Sequence, residues 1–363
     1  MTNVRSQQRP AHIILDAAAF QHNLQRVRDL LPKSRVMAVI KADAYGHGME
    51  FAADSLASAD EFAVNSLDDA KRLRRHAVDK TITLLSALLD ESELRWVANN
   101  NVRPIVFDHS QLELFESLSN NKPLSVWLKI DTGMGRLGFA AKEIDTVAAK
   151  LLGCSAVKNL SLMSHMANAD QLEHPLNKRQ MDQFQYTALQ FDYHQTSLLN
   201  SAGILHFSSA AGSIVRPGLM LYGISPFPDQ TAQELRLLPV MTFKSELISV
   251  KRMAAGDCVG YGSEYQLPDD TQIGIVACGY GDGYPRHAPS GTPVLVNGYK
   301  VPLIGRVSMD MLAVDLASVD AKVGDSVILW GVDNPVEKIA KAATTIAYEL
   351  CCSITARVEK IHI

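Results

Sequence analysis

The sequence predicts an α/β fold followed by a β fold: an N-terminal (β/α)8 TIM-like barrel and then a C-terminal, mostly β-strand domain. Three observations lead there. Eight short apolar runs alternate with amphipathic stretches through the first two thirds of the chain, and beyond Ile224 the texture changes to brief β-rich runs between Gly and Asp turns. Side chains able to do chemistry collect at the carboxyl ends of the apolar runs, where a barrel places its active site.

Taken in order, the opening MTNVRSQQRP is polar, carries Arg5 and Arg9, and leads into no apolar run of signal-peptide length. His12 to Leu15 suits a strand. Asp16 is placed as the N-cap of a helix whose Phe20, Leu24, Val27 and Leu31 recur at helical spacing before Pro32 ends it. The eight runs then follow: Val36 to Ile40, Glu61 to Val64, Thr81 to Ser86, Val102 to Phe107, Leu124 to Ile130, Lys158 to Met163, Thr196 to Asn200 and Ser213 to Val215. Between them Ser66 to Val78, Glu91 to Asn99, Ser110 to Leu118, Lys142 to Leu152 and Asn177 to Phe191 read as helices, with a weaker one near Gly203 to Ala211. A doubly wound open sheet would give the same alternation, and the count of eight favours the barrel.

Pro226 and Pro228 mark a linker, so the expected domains are a barrel over residues 1–234 and a β domain over 235–363, with residues 1–16 able to pair with the second. The later strands are placed at Met241 to Ile248, Ile273 to Cys278, Thr292 to Val296, Lys300 to Leu303, Met311 to Val314 and Ser326 to Trp330. One helix, Val336 to Leu350, and a closing strand in Arg357 to Ile363 complete the reading.

Composition narrows the function. With 363 residues, 47% hydrophobic and 20% charged, the chain can bury a large core, and a net charge of −4 without basic runs disfavours nucleic acid and anionic lipid as partners. No run approaches the ~20 apolar residues of a membrane helix, which predicts a cytoplasmic protein. The five cysteines show no C-x-x-C and the histidines no metal spacing, so no metal is expected.

The expected strand ends carry Lys41, then Asp131 to Arg136, then Ser164 and His165, then Asn200 and Ser201, and last Arg216 before Gly218. Each alone is ordinary: a solvated lysine, a hydrogen-bonded histidine, a turn serine. Together they describe an anion-binding mouth containing one amine, which suggests an imine with a phosphorylated aldehyde cofactor. DTGMGRLG offers a rival, because Gly133, Gly135 and Gly138 spell the dinucleotide pattern G-x-G-x-x-G. It stands at the fifth strand, and Cys154 to Leu160 holds no acidic residue for a ribose. In the second domain VGYGSEY and GYGDGYPR set tyrosines on glycine-flanked turns, and a phenol at Tyr261 with so little bulk around it can serve as an acid or base.

The motifs VIKADAYGHG, LKIDTGMGRLGF, SHMANAD, VRPGLMLYG, VGYGSEY, GYGDGYPR, GRVSMDM and AYELCCSITARV make the chain resemble bacterial alanine racemase, a pyridoxal-phosphate enzyme of fold type III, from about His12 to the C-terminus. The resemblance implies Lys41 as the Schiff-base lysine, with Tyr45, Ser201, Tyr348 and the backbone of Gly218 and Leu219 around the phosphate and Asn200 also binding the cofactor. It implies Arg216 at the pyridine nitrogen with His165 beside it, and Arg136 and the Met309 N–H on the substrate carboxylate. Lys129 matches a lysine carbamylated in relatives, and Tyr280 and Asp310 stand at the mouth of the site. Relatives are homodimers in which Tyr261 and Met309 reach the other subunit's barrel.

That set suits racemisation of alanine by two bases, Lys41 on one face of the α-carbon and Tyr261 on the other, supplying D-alanine for peptidoglycan. A phenol and an ammonium both titrate near ~10 in water, so neighbouring cations must draw their protons away more easily. A serine or broad-specificity racemase of the same fold, and a non-catalytic pyridoxal-phosphate protein, are the competing readings. The second is disfavoured by the β domain with its Tyr261 and Met309.

Overall fold

The computed structural model describes residues 9–88, 90–116 and 123–363. They form two compact units, one of residues 21–44 and 48–221, the other of residues 9–20, 45–47 and 222–363.

The chain opens with β1 (His12–Leu15), a strand of the second unit. The first unit holds β2 (Arg35–Val39), β3 (Glu61–Val64), β4 (Ile82–Leu84), β5 (Val102–Val106), β6 (Leu124–Lys129), β7 (Val157–Met163), β8 (Thr196–Ser197) and β9 (Ile214–Val215). They pair in the order β8-β7-β6-β5-β4-β3-β2-β9, each pairing parallel. The end strands close on each other: the Arg216 N–H donates to the Leu199 carbonyl at 3.0 Å, and Thr196 and Ser213 exchange backbone-to-hydroxyl bonds. This is the expected TIM-like barrel. EFAV in β3 and ITL in β4 are buried throughout, as strands covered on both faces require.

Helices fill the crossovers where the amphipathic stretches placed them. Ser66 caps Leu67–Arg75 by accepting the Asp69 N–H, and Asp90 caps Glu91–Asn99 by accepting the Glu93 N–H. The stretch expected from Asn177 begins two residues earlier, because Pro175 fits the first turn of Pro175–Ala188. His109–Glu116 matches the helix expected from Ser110, whose end at Leu118 lies outside the described residues. The run Thr196 to Asn200 keeps only two strand residues, since Asn200 turns to cap Ser201–His206 by accepting the Gly203 N–H at 3.0 Å.

At the amino ends of the strands the barrel holds a charged cluster. Glu61, 1% exposed, lies 3.2 Å from Arg103 Nη1 and 3.4 Å from Arg35 Nη2, while Arg103 also donates to Gln195 Oε1 at 2.6 Å and covers the Trp127 ring. Burial holds Glu61 above the usual carboxylate range despite both arginines, and holds Arg103 below its own. Desolvation therefore outweighs attraction in this pair. A carboxyl raised in the fold stabilises it most below its ordinary pKa, and that contribution fades as pH climbs through the raised value. Glu61→Leu is expected to cost about 3–5 kcal/mol in denaturant unfolding by stranding Arg103, and the double variant with Arg103→Met to recover most of it.

The second unit adds β10 (Met241–Met253), β11 (Cys258–Val259), β12 (Tyr265–Gln266), β13 (Thr271–Val276), β14 (Pro293–Val296), β15 (Tyr299–Ile304), β16 (Leu312–Asp315), β17 (Ser326–Trp330) and β18 (Glu359–His362). Its main sheet runs β13-β16-β15-β14-β17-β10-β1-β18, and β10, long and bulged, also pairs with β13 and curls the sheet back. All pairings but β1 with β18 are antiparallel, the mostly β architecture that was expected. Phe243, Trp330 and Tyr284 fill its core. The single helix expected over Val336 to Leu350 is two, Val336–Ala342 and Ala347–Cys352. The β-branched run Thr344 to Ile346 breaks it, with Thr344 left-handed at φ 53 and the Thr345 N–H closing on the Ala340 carbonyl.

Candidate active site

Lys41 follows Ile40, the buried residue just past β2, and the backbone then does something the sequence does not announce. Ala42, Asp43 and Ala44 all lie near φ 50 and ψ 50 and Tyr45 follows at φ 53, one turn of left-handed helix made without glycine. L-residues resist that turn by roughly 1–2 kcal/mol each, so other contacts must impose it. They are visible: the Ala44 N–H reaches the Ile40 carbonyl at 3.0 Å, and Asp43 Oδ1 accepts the Met49 N–H at 3.1 Å and Arg72 Nη1 at 2.9 Å. Arg72 is itself forked onto Glu50, holding that carboxyl below its usual range. Ala42 is exposed, so Ala42→Gly should raise stability by up to about 1 kcal/mol in a thermal melt, against a loss of similar size at a right-handed helix position.

Four cations converge on the same end of the barrel. Burial first, then the proximity of Arg216 and Arg136, lowers Lys129 to about 8, with Lys41 adding to the effect and Asp131 opposing it. Burial and the same four cationic neighbours, Arg216, Arg136, Lys129 and Lys41, hold His165 well below the ordinary histidine value, so it is neutral. Arg216 is buried and drawn down to about 10, still a cation at neutral pH. Its guanidinium is held by the Ser164 carbonyl, by Ser197 Oγ at 2.5 Å, by the Leu198 carbonyl at 3.4 Å and against His165 Nδ1 at 3.4 Å.

The loop after β6 carries Arg136 outward and exposed. Asp131 organises it, its carboxylate accepting the N–H groups of Gly133 at 2.8 Å, Met134 at 2.9 Å and Gly135 at 3.0 Å. Gly138 lets the loop return: at φ +123 a Cβ there would sit 2.6 Å from the Asp131 nitrogen. The G-x-G-x-x-G spacing thus wraps a carboxylate of its own chain, which occupies the donors a pyrophosphate would need.

Beside Arg216 a donor-rich turn forms. Ser201 Oγ accepts the N–H groups of Gly218 at 3.0 Å and Met220 at 3.2 Å, leaving its own O–H to donate, and Leu219 follows in the same buried segment. No carboxylate shares these bonds, so the set suits a phosphoryl group.

The barrel unit therefore brings together Lys41, Lys129, Arg136, His165, Asn200, Ser201, Arg216, Gly218 and Leu219. The others belong to the second unit. Tyr45 and Tyr348 stand with ring centres 5.7 Å apart, and burial, then the nearness of Tyr348 and Cys352, pushes the Tyr45 phenol above its usual range, so it keeps its proton as a donor. Tyr261, 68% exposed, rides the turn between β11 and β12, which packs its Val259 carbonyl against Gly305 at the head of the loop leading to Met309, itself 54% exposed. Tyr280 and Asp310 lie on that corner, the Tyr280 N–H bonding the Ser308 carbonyl at 3.0 Å.

Two supporting residues escape sequence reasoning. Gln180, wholly buried, donates to the His165 carbonyl at 2.9 Å and to Thr132 Oγ1 at 3.1 Å, and accepts the Ala167 N–H at 2.8 Å. Ser197 fixes Arg216. The available signal for the first is a polar residue on the buried stripe Gln180, Phe184, Thr187 of its helix. Among the described residues no helix is long and apolar enough to cross a membrane, and no group of three His, Cys, Asp or Glu is placed to hold a metal ion.

Comparison with known proteins converges on one family. The family description "Alanine racemase, N-terminal domain" matches residues 15–226 and "Alanine racemase, C-terminal domain" matches 240–362. An alanine racemase of Nitrosococcus oceani is 47% identical over 349 residues, covering 96% of this chain and 98% of that one. The crystal structure of the biosynthetic alanine racemase from Pseudomonas aeruginosa superposes with a TM-score of 0.95 at 41% identity, over 98% of this chain and all of that one. That from Acinetobacter baumannii gives 0.94 at 36% identity over the same shares. A lysine on a left-handed turn among buried cations, on a barrel followed by a β domain that matches these proteins end to end, is the architecture of one family, and this chain belongs to the alanine racemases.

Proposed function

We propose that the protein interconverts L- and D-alanine with bound pyridoxal 5'-phosphate, as a cytoplasmic homodimer that supplies D-alanine for peptidoglycan. The observation that carries the reading is the meeting of Lys41 with Arg136, Arg216 and Lys129 around a neutral His165, an amine among anion-binding cations. The barrel unit acts as the cofactor-holding domain and the β unit, which takes in β1, as the domain that lends Tyr261 and Met309 to the partner's barrel.

The donor set fits the cofactor. Lys41 would be its covalent anchor, the Ser201 hydroxyl, the Gly218–Leu219 backbone and the phenols of Tyr45 and Tyr348 would hold its phosphate, and Asn200 would line the same cofactor site. When bound, the cofactor supplies a conjugated sink for the electron pair left at the α-carbon. Arg216, held by carbonyl and hydroxyl acceptors and charged at neutral pH, would face the ring nitrogen as a donor that does not surrender its proton. That placement would limit how far the pair delocalises and would favour reprotonation at the α-carbon.

Arg136 and the Met309 N–H hold the substrate carboxylate. Lys41 Nζ takes or returns a proton on one face and Tyr261 Oη on the other, with Tyr280 and Asp310 at the mouth. Lys129, at about 8, is partly neutral under working conditions, and a neutral amine adds carbon dioxide to form a carbamate with loss of one proton. That exchanges a repulsion with Arg136 for an attraction.

The test is direct. Protein loaded with pyridoxal phosphate should convert each alanine enantiomer to the racemate, followed by circular dichroism, with serine assayed in parallel. No change of optical signal from either amino acid would refute the assignment, and faster turnover of serine would move it to a serine racemase.

A further inference from the structure

The Met309 loop is gripped by a charged network that no step above employs. Asp282 is wholly buried, yet it is ionically paired twice: Oδ2 accepts Arg9 Nη2 at 2.8 Å and the Gly279 N–H at 2.9 Å, while Oδ1 lies 2.8 Å from Arg357 Nε. Both arginines continue to the loop. Arg357 places Nη1 2.9 Å from Asp310 Oδ1 and donates from Nη2 to the Met309 carbonyl at 3.2 Å. Arg9, from the opposite end of the chain, donates to the Asp310 carbonyl at 3.2 Å and lies 3.5 Å from its carboxylate.

Backbone contacts bind the same two segments. The Tyr280 N–H donates to the Ser308 carbonyl at 3.0 Å and the Gly281 N–H to the Met309 carbonyl at 2.8 Å. The approach is so close that a Cβ on Gly279 would lie 2.2 Å from the Ser308 oxygen and 2.5 Å from the Met309 carbonyl. A trans peptide sends its C=O and N–H in opposite directions. With the Ser308 carbonyl drawn to Tyr280, the N–H of the same peptide, that of Met309, is turned away from the Gly279–Asp282 segment.

We propose that Arg9, Asp282 and Arg357 are positioning residues that fix the direction of the Met309 N–H as a ready-made donor to the substrate carboxylate. The proposal rests on the reading of Met309 given above. Sealing a carboxylate wholly from water is a costly way to gain stability, and its return is a single geometry. Arginine is required at position 357 because one side chain must meet Asp282, Asp310 and the Met309 carbonyl at once, which a lysine cannot.

A carboxylate contact is made alike in the bound and the reacting substrate, so its loss appears in KM and not in kcat. Arg357→Lys and Arg9→Met, loaded with cofactor, should raise KM for both alanine enantiomers by about tenfold and leave kcat within about twofold. The dissociation constant of propionate, alanine without its amine, should rise in parallel in an equilibrium titration. Thermal melts establish that each variant is folded, and Arg9→Met, altering a partly exposed side chain, carries the test alone if Arg357→Lys does not fold. Unchanged KM and propionate affinity in folded variants would overturn the proposal. Met309→Pro, which deletes the N–H itself, separates the two failures. If it leaves KM unchanged, the Met309 reading falls and the network's role falls with it. If it raises KM while the arginine variants do not, only the network's role falls.

Discussion

Tyr261→Phe is expected to slow racemisation in both directions by about a thousandfold, in the range that positioned acid–base groups contribute, while melting at the temperature of the parent protein. The substitution removes one oxygen from a side chain that is 68% exposed, so no core packing is lost and stability should stay within about 0.5 kcal/mol. The cofactor should bind as before, its visible absorption intact, since Tyr261 is assigned no part in holding it. The informative measurement is exchange of the α-hydrogen in deuterated water. With the phenol gone, Lys41 can still take a proton from its own face and return a deuteron there, so D-alanine should exchange without inverting. L-alanine presents its hydrogen to the other face, where no base remains, and should be inert. Undiminished exchange from L-alanine would end the two-base scheme, whatever the loss in overall rate.

The barrel was legible because buried parallel strands leave continuous apolar runs, and runs such as EFAV and ITL need no partner to be recognised. Lys41 was legible for the same reason, as the charge that ends such a run. The turn after it was not: ADAY carries no glycine and no β-branched residue, so nothing local marks a left-handed turn, and the Arg72 contact that supports it comes from 29 positions away. β11 and β12, which present Tyr261, have two residues each and leave no periodicity to detect. The split between Val336–Ala342 and Ala347–Cys352 was hidden by the opposite fault, since apolar spacing runs through both and only Thr344 to Ile346 argue for a break. Asp282 reads in sequence as a turn aspartate, and only folding joins it to Arg9, 273 positions away. Charges whose partners are that distant have no sequence signature, which is why the candidate site residues stand out in the sequence and their supports do not.

Lys41→Ala should be the more damaging change, because the proposed mechanism uses this one amine as both covalent anchor and base, and activity is expected to fall by at least about ten-thousandfold even with cofactor in excess. Its greater use is in combination with Tyr261→Phe. If Tyr261 of one subunit completes the barrel site of its partner, a mixed dimer of the two variants contains one site lacking both groups and one site with both intact. Random reassociation of equal amounts makes about half the dimers mixed, so two inactive proteins should regain about a quarter of the parental activity when mixed under conditions that exchange subunits. If instead each chain built its site from its own Lys41 and its own Tyr261, every site in every dimer would lack one group, and mixing would restore nothing. Recovery near a quarter therefore requires both the dimer and the crossing of Tyr261 between subunits. Failure to recover, with subunit exchange demonstrated independently by a tagged copy, would place both groups in one chain and require a different source for the base on the second face.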